Sequence, residues 1–476
     1  MEAQQISAAH SRRLHAFRSR RDREVELRGL AILMTLAMHA LLFRHKPAAL
    51  LSLAVACAVA TAQTATREFR EVMVVRAEQV EQLVSAPNWG KAVARGRDGA
   101  WWLLIGRSRL ADADRKVEAE WGVELWRSLD GMRWELGAKA PMPRASCGAT
   151  VADPTNAQLH LLLSVSTDRG WSEPWHAAYD VDKSSWSGEP TRLVEASSDE
   201  DQYFANDIEC TERGDVVAIV GSHRSPRQVG FDCGWSTGLR CKPRDGTEWS
   251  KLQQVNVASY GVGSNVSVRG DLIDCSYRTC PHDAITAVRT FDATKGAFVQ
   301  ASDEAVHGEF PHNLGVCNSS SIAVDATGGR YVVFSIGQYD AGVGKIAIAW
   351  RGPDADAWKT IDIAEDPPLK SGNENYAHFA LARGAGNQMV VLYGKASEDH
   401  ANLYQRVLDA GELVGDEKLL MRDKPGAFAY IVGNKRGEMR PGIQLVATRM
   451  GDAAQRASVA IYGVLPAPMP KLRAPK

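Results

Sequence analysis

Residues 123–141 read VELWRSLDGMRWELGAKAP. A strand expected at 123–127 enters a turn at Ser128, Leu129, Asp130 and Gly131, and Trp134 stands four residues after the aspartate. The same Asp-to-Trp spacing returns at Asp182/Trp186, Asp245/Trp249 and Asp354/Trp358, each time between apolar segments. Recurrence at a steady interval marks a repeat architecture, in which each unit is one small supersecondary structure.

Outward from that stretch, the turns that precede the strongly apolar segments are Gly99, Asn156, Gly214, Gly270, Gly329, Gly386 and Gly442, about 57 residues apart. Ahead of each turn lies a short strand, expected at 92–95, 149–152, 208–211, 266–269, 321–325, 379–382 and 427–432. A second, more hydrophobic strand follows, such as 101–105, 159–163, 216–220, 331–336 or 389–393, then a polar loop, a third strand, the Asp/Trp turn and a fourth. Four short strands per unit without an amphipathic helix between them predict an all-β fold, a seven-bladed β-propeller of four-stranded blades over residues 90–465. A six-bladed ring with one irregular unit is the alternative. The seventh unit lacks its own fourth strand, because proline in the tail 467–476 cannot donate to a ladder. The early apolar segment 71–76 (EVMVVR) is expected to close the last blade from outside and so remove exposed sheet edges.

The S-x-D-G-x-x-W turn at Ser128–Trp134 resembles the Asp box (BNR repeat) of sialidases and related propellers. That turn has a local job: the aspartate accepts turn hydrogen bonds, the glycine supplies an unusual dihedral and the indole packs between sheets. In such folds it lies away from the substrate face, so it speaks to fold rather than chemistry. The resemblance implies exo-hydrolysis of an α-linked sialic acid: arginines hold the carboxylate, a tyrosine paired with a glutamate is the nucleophile, and an aspartate is the acid/base. On this sequence Arg224 and Arg278 then serve as two of the arginines, Tyr339 or Tyr376 as nucleophile, and Asp201 or Asp207 as acid. The family carries Y/F-R-I-P ahead of its first inner strand; here that stretch is Asn88, Trp89, Gly90 and Lys91.

The residues themselves point the same way. Just after the second strands stand Arg107, Arg169, Arg224, Arg278, Lys395 and Arg449, so six of seven units place a cation at one height. Cations around one mouth focus field on an anion and pair bidentately with a carboxylate; the plainer reading is that each caps a strand end and pairs with a nearby acid. The loops of the third to sixth units add Asp201, Asp207, His223, Tyr277, His312, Asn313, Tyr339 and Tyr376. His223 with Tyr277 and Arg278, or His312 with Tyr339, supplies the types a uronate lyase uses: a base, an acid and a cation that damps the carboxylate. A non-catalytic glycan- or protein-binding propeller is the third reading. The expected ligand is an acidic carbohydrate, a sialoside or a uronate, with no cofactor and no metal. No G-x-S-x-G and no phosphate-binding glycine loop is present.

The 476 residues carry a formal net charge of −1, which argues against a general nucleic-acid binder. The first sixty residues differ from the rest. A basic run at 12–28 precedes two short apolar stretches, and Ala60, Thr61 and Ala62 form an A-x-A site before Gln63. This reads as a signal peptide within an extension 1–62, with a monomeric secreted or periplasmic propeller spanning 63–466; an uncleaved membrane anchor is the alternative. Export permits disulfides, expected between Cys233 and Cys241 and between Cys275 and Cys280.

Overall fold

The computed structural model describes residues 68–76, 81–84, 91–109, 120–167, 172–195, 202–223, 235–256, 264–279, 285–300, 302–308, 315–316, 321–338, 342–365, 379–384, 387–396, 401–423, 428–433, 442–449 and 458–465. The segments expected as leader and cleavage site and the tail 467–476 lie outside them, as do Asp201, Arg224, Cys233, Cys280, His312, Asn313, Tyr339 and Tyr376.

Every element among the described residues is a β-strand, and the strands pair antiparallel into seven sheets of four strand positions. Sheet one holds Val93–Arg95, Trp101–Arg109, Glu120–Ser128 and Glu135–Lys139, with Glu81–Val84 sharing the first position. Sheet two holds Ala145–Ala152, Gln158–Ser166 and Ser172–Asp180, its outer position divided between Ser185–Trp186 and Thr191–Arg192. Sheet three holds Gln202–Cys210, Val216–His223, Trp235–Lys242 and Gln253–Asn256. Sheet four holds Asn265–Arg269, Leu272–Arg278 and Thr286–Asp292, with Ala297–Phe298 and Glu304–Ala305 outside. In sheet five Gly315–Val316 and Ser321–Val324 share the first position before Arg330–Gln338, Gly342–Arg351 and Lys359–Glu365. Sheet six holds Phe379–Arg383, Gln388–Ala396, Ala401–Asp409 and Glu412–Asp423. Sheet seven holds Phe428–Gly433, Gly442–Arg449 and Ser458–Leu465, and Glu68–Arg76 pairs outermost, Val72 opposite Ile461.

The hydrophobic core is divided into layers between consecutive sheets. Trp102, Leu104 and Leu125 of sheet one meet Leu159, Leu161 and Tyr179 of sheet two. Further layers join sheets two and three, three and four, four and five, five and six, and six and seven. The last layer returns from sheet seven to sheet one, where Val72, Val75, Val459 and Ile461 pack on Trp101, Leu103 and Ile105. The second strands explain their own composition. Successive side chains point to opposite faces, so Leu103 and Ile105 fill one layer while Trp102 and Leu104 fill the next. A strand buried on both faces reads as an unbroken apolar run rather than an alternating one. Sheets stacked face to face in this manner are the β-propeller arrangement.

The 128–134 turn is built as its residue types require. Asp130 Oδ1 accepts the amides of Met132 (2.8 Å) and Arg133 (2.9 Å), Ser128 Oγ accepts the amide of Gly131, and Trp134 Nε1 donates to Gly131 O. Gly131 has φ 72°, a conformation that costs a side-chain-bearing residue about 1–2 kcal/mol. Burial by itself would raise the Asp130 carboxyl; the amide hydrogen bonds outweigh it and hold the group below its ordinary value. In the second unit the acceptor is Asp180, not Asp182: Asp180 Oδ1 takes the amides of Asp182 and Lys183. Asp292 does the same for Thr294 and Lys295 in sheet four, where no tryptophan follows. In sheets one, two and four the shared feature is an aspartate that closes the third-to-fourth hairpin, and the tryptophan that follows is its variable part.

The two expected disulfides are corrected. The thiols of Cys241 and Cys275 are free and buried. Each sits on a strand that turns its side chain into the layer between sheets three and four, among Val217, Ile219 and Phe291. Burial pushes the Cys241 thiol up to about 12, and the Cys275 thiol higher still. Both behave as small apolar residues.

Candidate functional site

The sheets repeat one strand order, and in a propeller arrangement equivalent strands run the same way, so the second strands end on one side of the sheets. Among the described residues that side carries Arg107, His223, Arg278, Lys395 and Arg449, at or within two residues of the ends of second strands in sheets one, three, four, six and seven. The hairpin aspartates Asp130, Asp180 and Asp292 close the opposite side, at the far ends of the third strands.

Arg107 and Lys395 each meet a carboxylate. Arg107 Nε lies 3.3 Å from Glu124 Oε1 and its Nη2 donates to Glu124 Oε2 at 3.3 Å, while Trp126 Nε1 donates to the same oxygen at 2.9 Å. Lys395 Nζ donates to Glu417 at 2.7 Å and lies over the rings of Tyr404 and Tyr393. Tyr393 also donates to Glu417. The Glu417 carboxyl, though raised by burial, is held net below its ordinary value by these two donors. Burial, then Glu417, pushes the Tyr393 phenol far up.

Two catalytic candidates are reassigned. Tyr277 is fully buried in the layer between sheets three and four. Its phenol is pushed far up, first by burial and then by Asp303. Asn256 donates to the same Asp303, which joins the ends of the outer strands of sheets three and four. A phenol with no exposed surface is closed to a ligand, so Tyr277 is a packing residue of this layer. Arg278 follows it at the strand end and is partly exposed.

Asp207 is likewise inaccessible. Its Oδ1 accepts the amide of Lys91 at 3.1 Å, and its Oδ2 accepts Lys91 Nζ at 2.9 Å and the amide of Val266 at 3.1 Å. Lys91 Nζ also lies 3.2 Å from Glu209 Oε2 and donates to the carbonyls of Ile208 and Val266, each at 3.1 Å. Lys91 is 4% exposed and Asp207 has no exposed surface. Removing one partner of such a buried pair costs about 3–5 kcal/mol, so Asp207 is a structural counter-ion, not a proton donor. The finding bears on the sialidase resemblance as well. In the stretch where that family carries an arginine, this chain has a lysine whose ammonium is committed to two carboxylates.

Sequence reasoning missed this cluster because its members are 116 and 118 residues apart along the chain (207 − 91 and 209 − 91). The one available signal was the isolated lysine directly before an inner strand. It also missed His160 and His176, a buried pair 3.0 Å apart between sheets two and three. No group of three or more metal-ligating side chains is found among the described residues.

No protein-family model matches the chain, and no curated protein matches it. Solved structures do share its fold. An ulvan lyase from a new polysaccharide lyase family, bound to -[GlcA(1-4)Rha3S]-, aligns with TM-score 0.51 at 12% identity over 83% of this chain and 96% of its own. A second structure of that lyase gives TM-score 0.50 at 12% identity, over 84% and 95%. A Trypanosoma rangeli sialidase in complex with the inhibitor DANA gives TM-score 0.39 at 9% identity, over 69% and 56%. These neighbours are glycan-acting enzymes. The lyase likeness is one of fold, and the weaker sialidase likeness bears no weight.

Proposed function

We propose that the chain is an exported, monomeric seven-bladed propeller, one blade per sheet, that acts on an acidic glycan. Its propeller spans 63–466 after removal of a leader, and its hairpin aspartates are degenerate Asp boxes. The reaction we assign is β-elimination within a uronate-containing polysaccharide. The observation that carries the reading is the alignment of Arg107, His223, Arg278, Lys395 and Arg449 at one set of strand ends. An acid held there meets basic side chains from several sheets, with His223 among them as a candidate base. The ulvan lyase fold supports the elimination, since its bound ligand contains glucuronate. The commitment of Lys91 to Asp207 and Glu209 weighs against the sialidase alternative.

In this reaction Arg278 pairs with the uronate carboxylate and damps its charge, which acidifies the C5 proton. A base, for which His223 at the neighbouring strand end is the candidate, removes that proton. The C4–O4 bond breaks, a C4=C5 double bond forms, and the departing O4 takes a proton; no water is consumed. Tyr339, Tyr376 and His312 remain the candidates for that last donor.

The test is incubation of the purified protein with glucuronate- and iduronate-containing polymers and with sialosides. Elimination gives the ultraviolet absorbance of an unsaturated uronate together with new reducing ends. Reducing ends without absorbance assign hydrolysis instead, and binding without either product assigns a recognition module.

A further inference from the structure

We infer that Lys91, Asp207 and Glu209 form a positioning centre that fixes the cation-bearing strand ends relative to one another. Lys91 precedes the first strand of sheet one. Its ammonium and amide bond Asp207 in the first strand of sheet three, its ammonium reaches Val266 O in sheet four, and its carbonyl accepts the amide of Thr150 in sheet two at 2.6 Å. One residue thus cross-links the first strands of four sheets.

The ladders carry that geometry to the site. Asp207 pairs with Ile219, four residues before His223. Val266 pairs with Cys275, three residues before Arg278. Leu104, whose amide bonds Ala92 O beside Lys91, stands three residues before Arg107. At about 3.3 Å per residue, the three strand ends lie roughly 10–13 Å along rigid strands from the cluster. Apolar side chains in place of these charges would pack equally well in several registers. The three N–H groups of one ammonium, directed at Asp207 and two carbonyls with Glu209 as a further ion-pair partner, favour one register. Lys91 itself bonds to none of sheets five to seven among the described residues, so its influence is confined to the sector holding Arg107, His223 and Arg278.

The catalytic half of this inference rests on the proposed elimination; the mechanical half does not, and the experiment separates them. In the full chain, Lys91→Arg moves the charge while keeping it, and Glu209→Gln weakens the anchor without removing the lysine. Hydrogen–deuterium exchange is expected to rise together at residues 105–109, 219–223 and 274–278, with 334–338 and 392–396 unchanged. On a uronate polymer that the wild type cleaves, kcat is expected to fall about tenfold or more with KM within about twofold, as for misplaced but intact groups. A rise confined to one strand, or spread evenly over all seven sheets, overturns the inference, as does an unchanged kcat in a variant showing the coupled rise. Where Lys91→Arg does not fold, Glu209→Gln decides. If the wild type cleaves no uronate polymer, the elimination reading fails and the exchange pattern alone decides the positioning centre.

Discussion

His160 Nδ1 lies 3.0 Å from His176 Nε2, with both rings buried between sheets two and three. Asp153 Oδ2 stands 3.6 Å from His160 Nε2, Trp249 meets His176 edge-on, and Lys242 adds positive charge nearby. A 3.0 Å nitrogen pair needs one donor and one acceptor, so both imidazoles cannot be fully protonated. Burial, then His160 and Lys242, holds His176 well below its ordinary value. Unfolded, that histidine titrates near its ordinary value of about 6.5. Below that pH the unfolded chain binds a proton that the native chain refuses, so stability is full above about pH 6.5 and falls beneath it, by up to about 1.4 kcal/mol per pH unit. Burial would raise Asp153, but His160 and the Thr155 hydrogen bonds bring it down to about 2. Its contribution is present above the ordinary carboxylate range and disappears as the pH approaches 2. Urea unfolding from pH 8 to 4 is expected to show the first decline in the wild type and a shallower one in His176→Gln. Identical slopes in the two proteins would place the titration elsewhere.

Asp130 serves the hairpin and, lying on the opposite side from the cations, should serve nothing else. Asp130→Ala removes the acceptor of two turn amides and is expected to lower stability by about 1 kcal/mol, the usual worth of such bonds in an exposed turn. Affinity for acidic oligosaccharides is expected to stay within about twofold, less than about 0.5 kcal/mol of binding free energy. A tenfold loss of affinity with a modest change in Tm would contradict the division between the two sides.

What the sequence disclosed divides along physical lines. The second strands were legible because burial on both faces leaves a continuous apolar run, and residues 159–163 and 216–220 fall within the strands Gln158–Ser166 and Val216–His223. Inner strands were legible from their spacing, and 266–269 lies inside Asn265–Arg269. The hairpin was only half legible. Asp182 drew attention through its distance to Trp186, whereas hydrogen-bond geometry selects Asp180 at the strand end. Residue type alone misled at the site. Asp207 and Tyr277 have the right chemistry, but only three dimensions reveal that one is matched to a distant lysine and the other enclosed by two sheets. Cys241 and Cys275 misled similarly, since proximity to another cysteine in sequence says nothing of which face of a strand it takes.

Gly411 offers a test of the seam between sheets five and six. It has φ 78°, and a Cβ there would lie 2.3 Å from the Trp350 ring. Its amide donates to Tyr331 Oη at 3.1 Å. Gly411→Ala combines backbone strain with displacement of a packed indole and is expected to cost about 2–4 kcal/mol. Tyr331→Phe loses only the hydrogen bond and should cost about 1 kcal/mol. Both are read by denaturant midpoint. Equal effects would mean that the indole moves aside freely.

Arg107 and Arg278 stand at the same side of the sheets and should respond oppositely to the same substitution. Arg107 is matched to Glu124, whose side chain is 8% exposed and also receives Trp126 Nε1. Arg107→Ala strands that carboxylate, and the expected result is a stability loss of about 1–3 kcal/mol with affinity for acidic oligosaccharides lowered by less than about threefold, since a guanidinium already engaged contributes little new charge to a ligand. Arg278 follows the buried Tyr277 at its strand end and is the cation we assign to the uronate carboxylate. Arg278→Ala is expected to lower stability by about 1 kcal/mol, the usual effect of a single substitution. Binding should weaken by about tenfold or more, the usual loss when a charged hydrogen bond to a ligand is removed. Calorimetric titration with a glucuronate oligosaccharide, run beside urea unfolding on both variants, distinguishes the two roles. If Arg107→Ala proves the weaker binder and Arg278→Ala the less stable protein, the carboxylate is held on sheet one, and the assignment moves there.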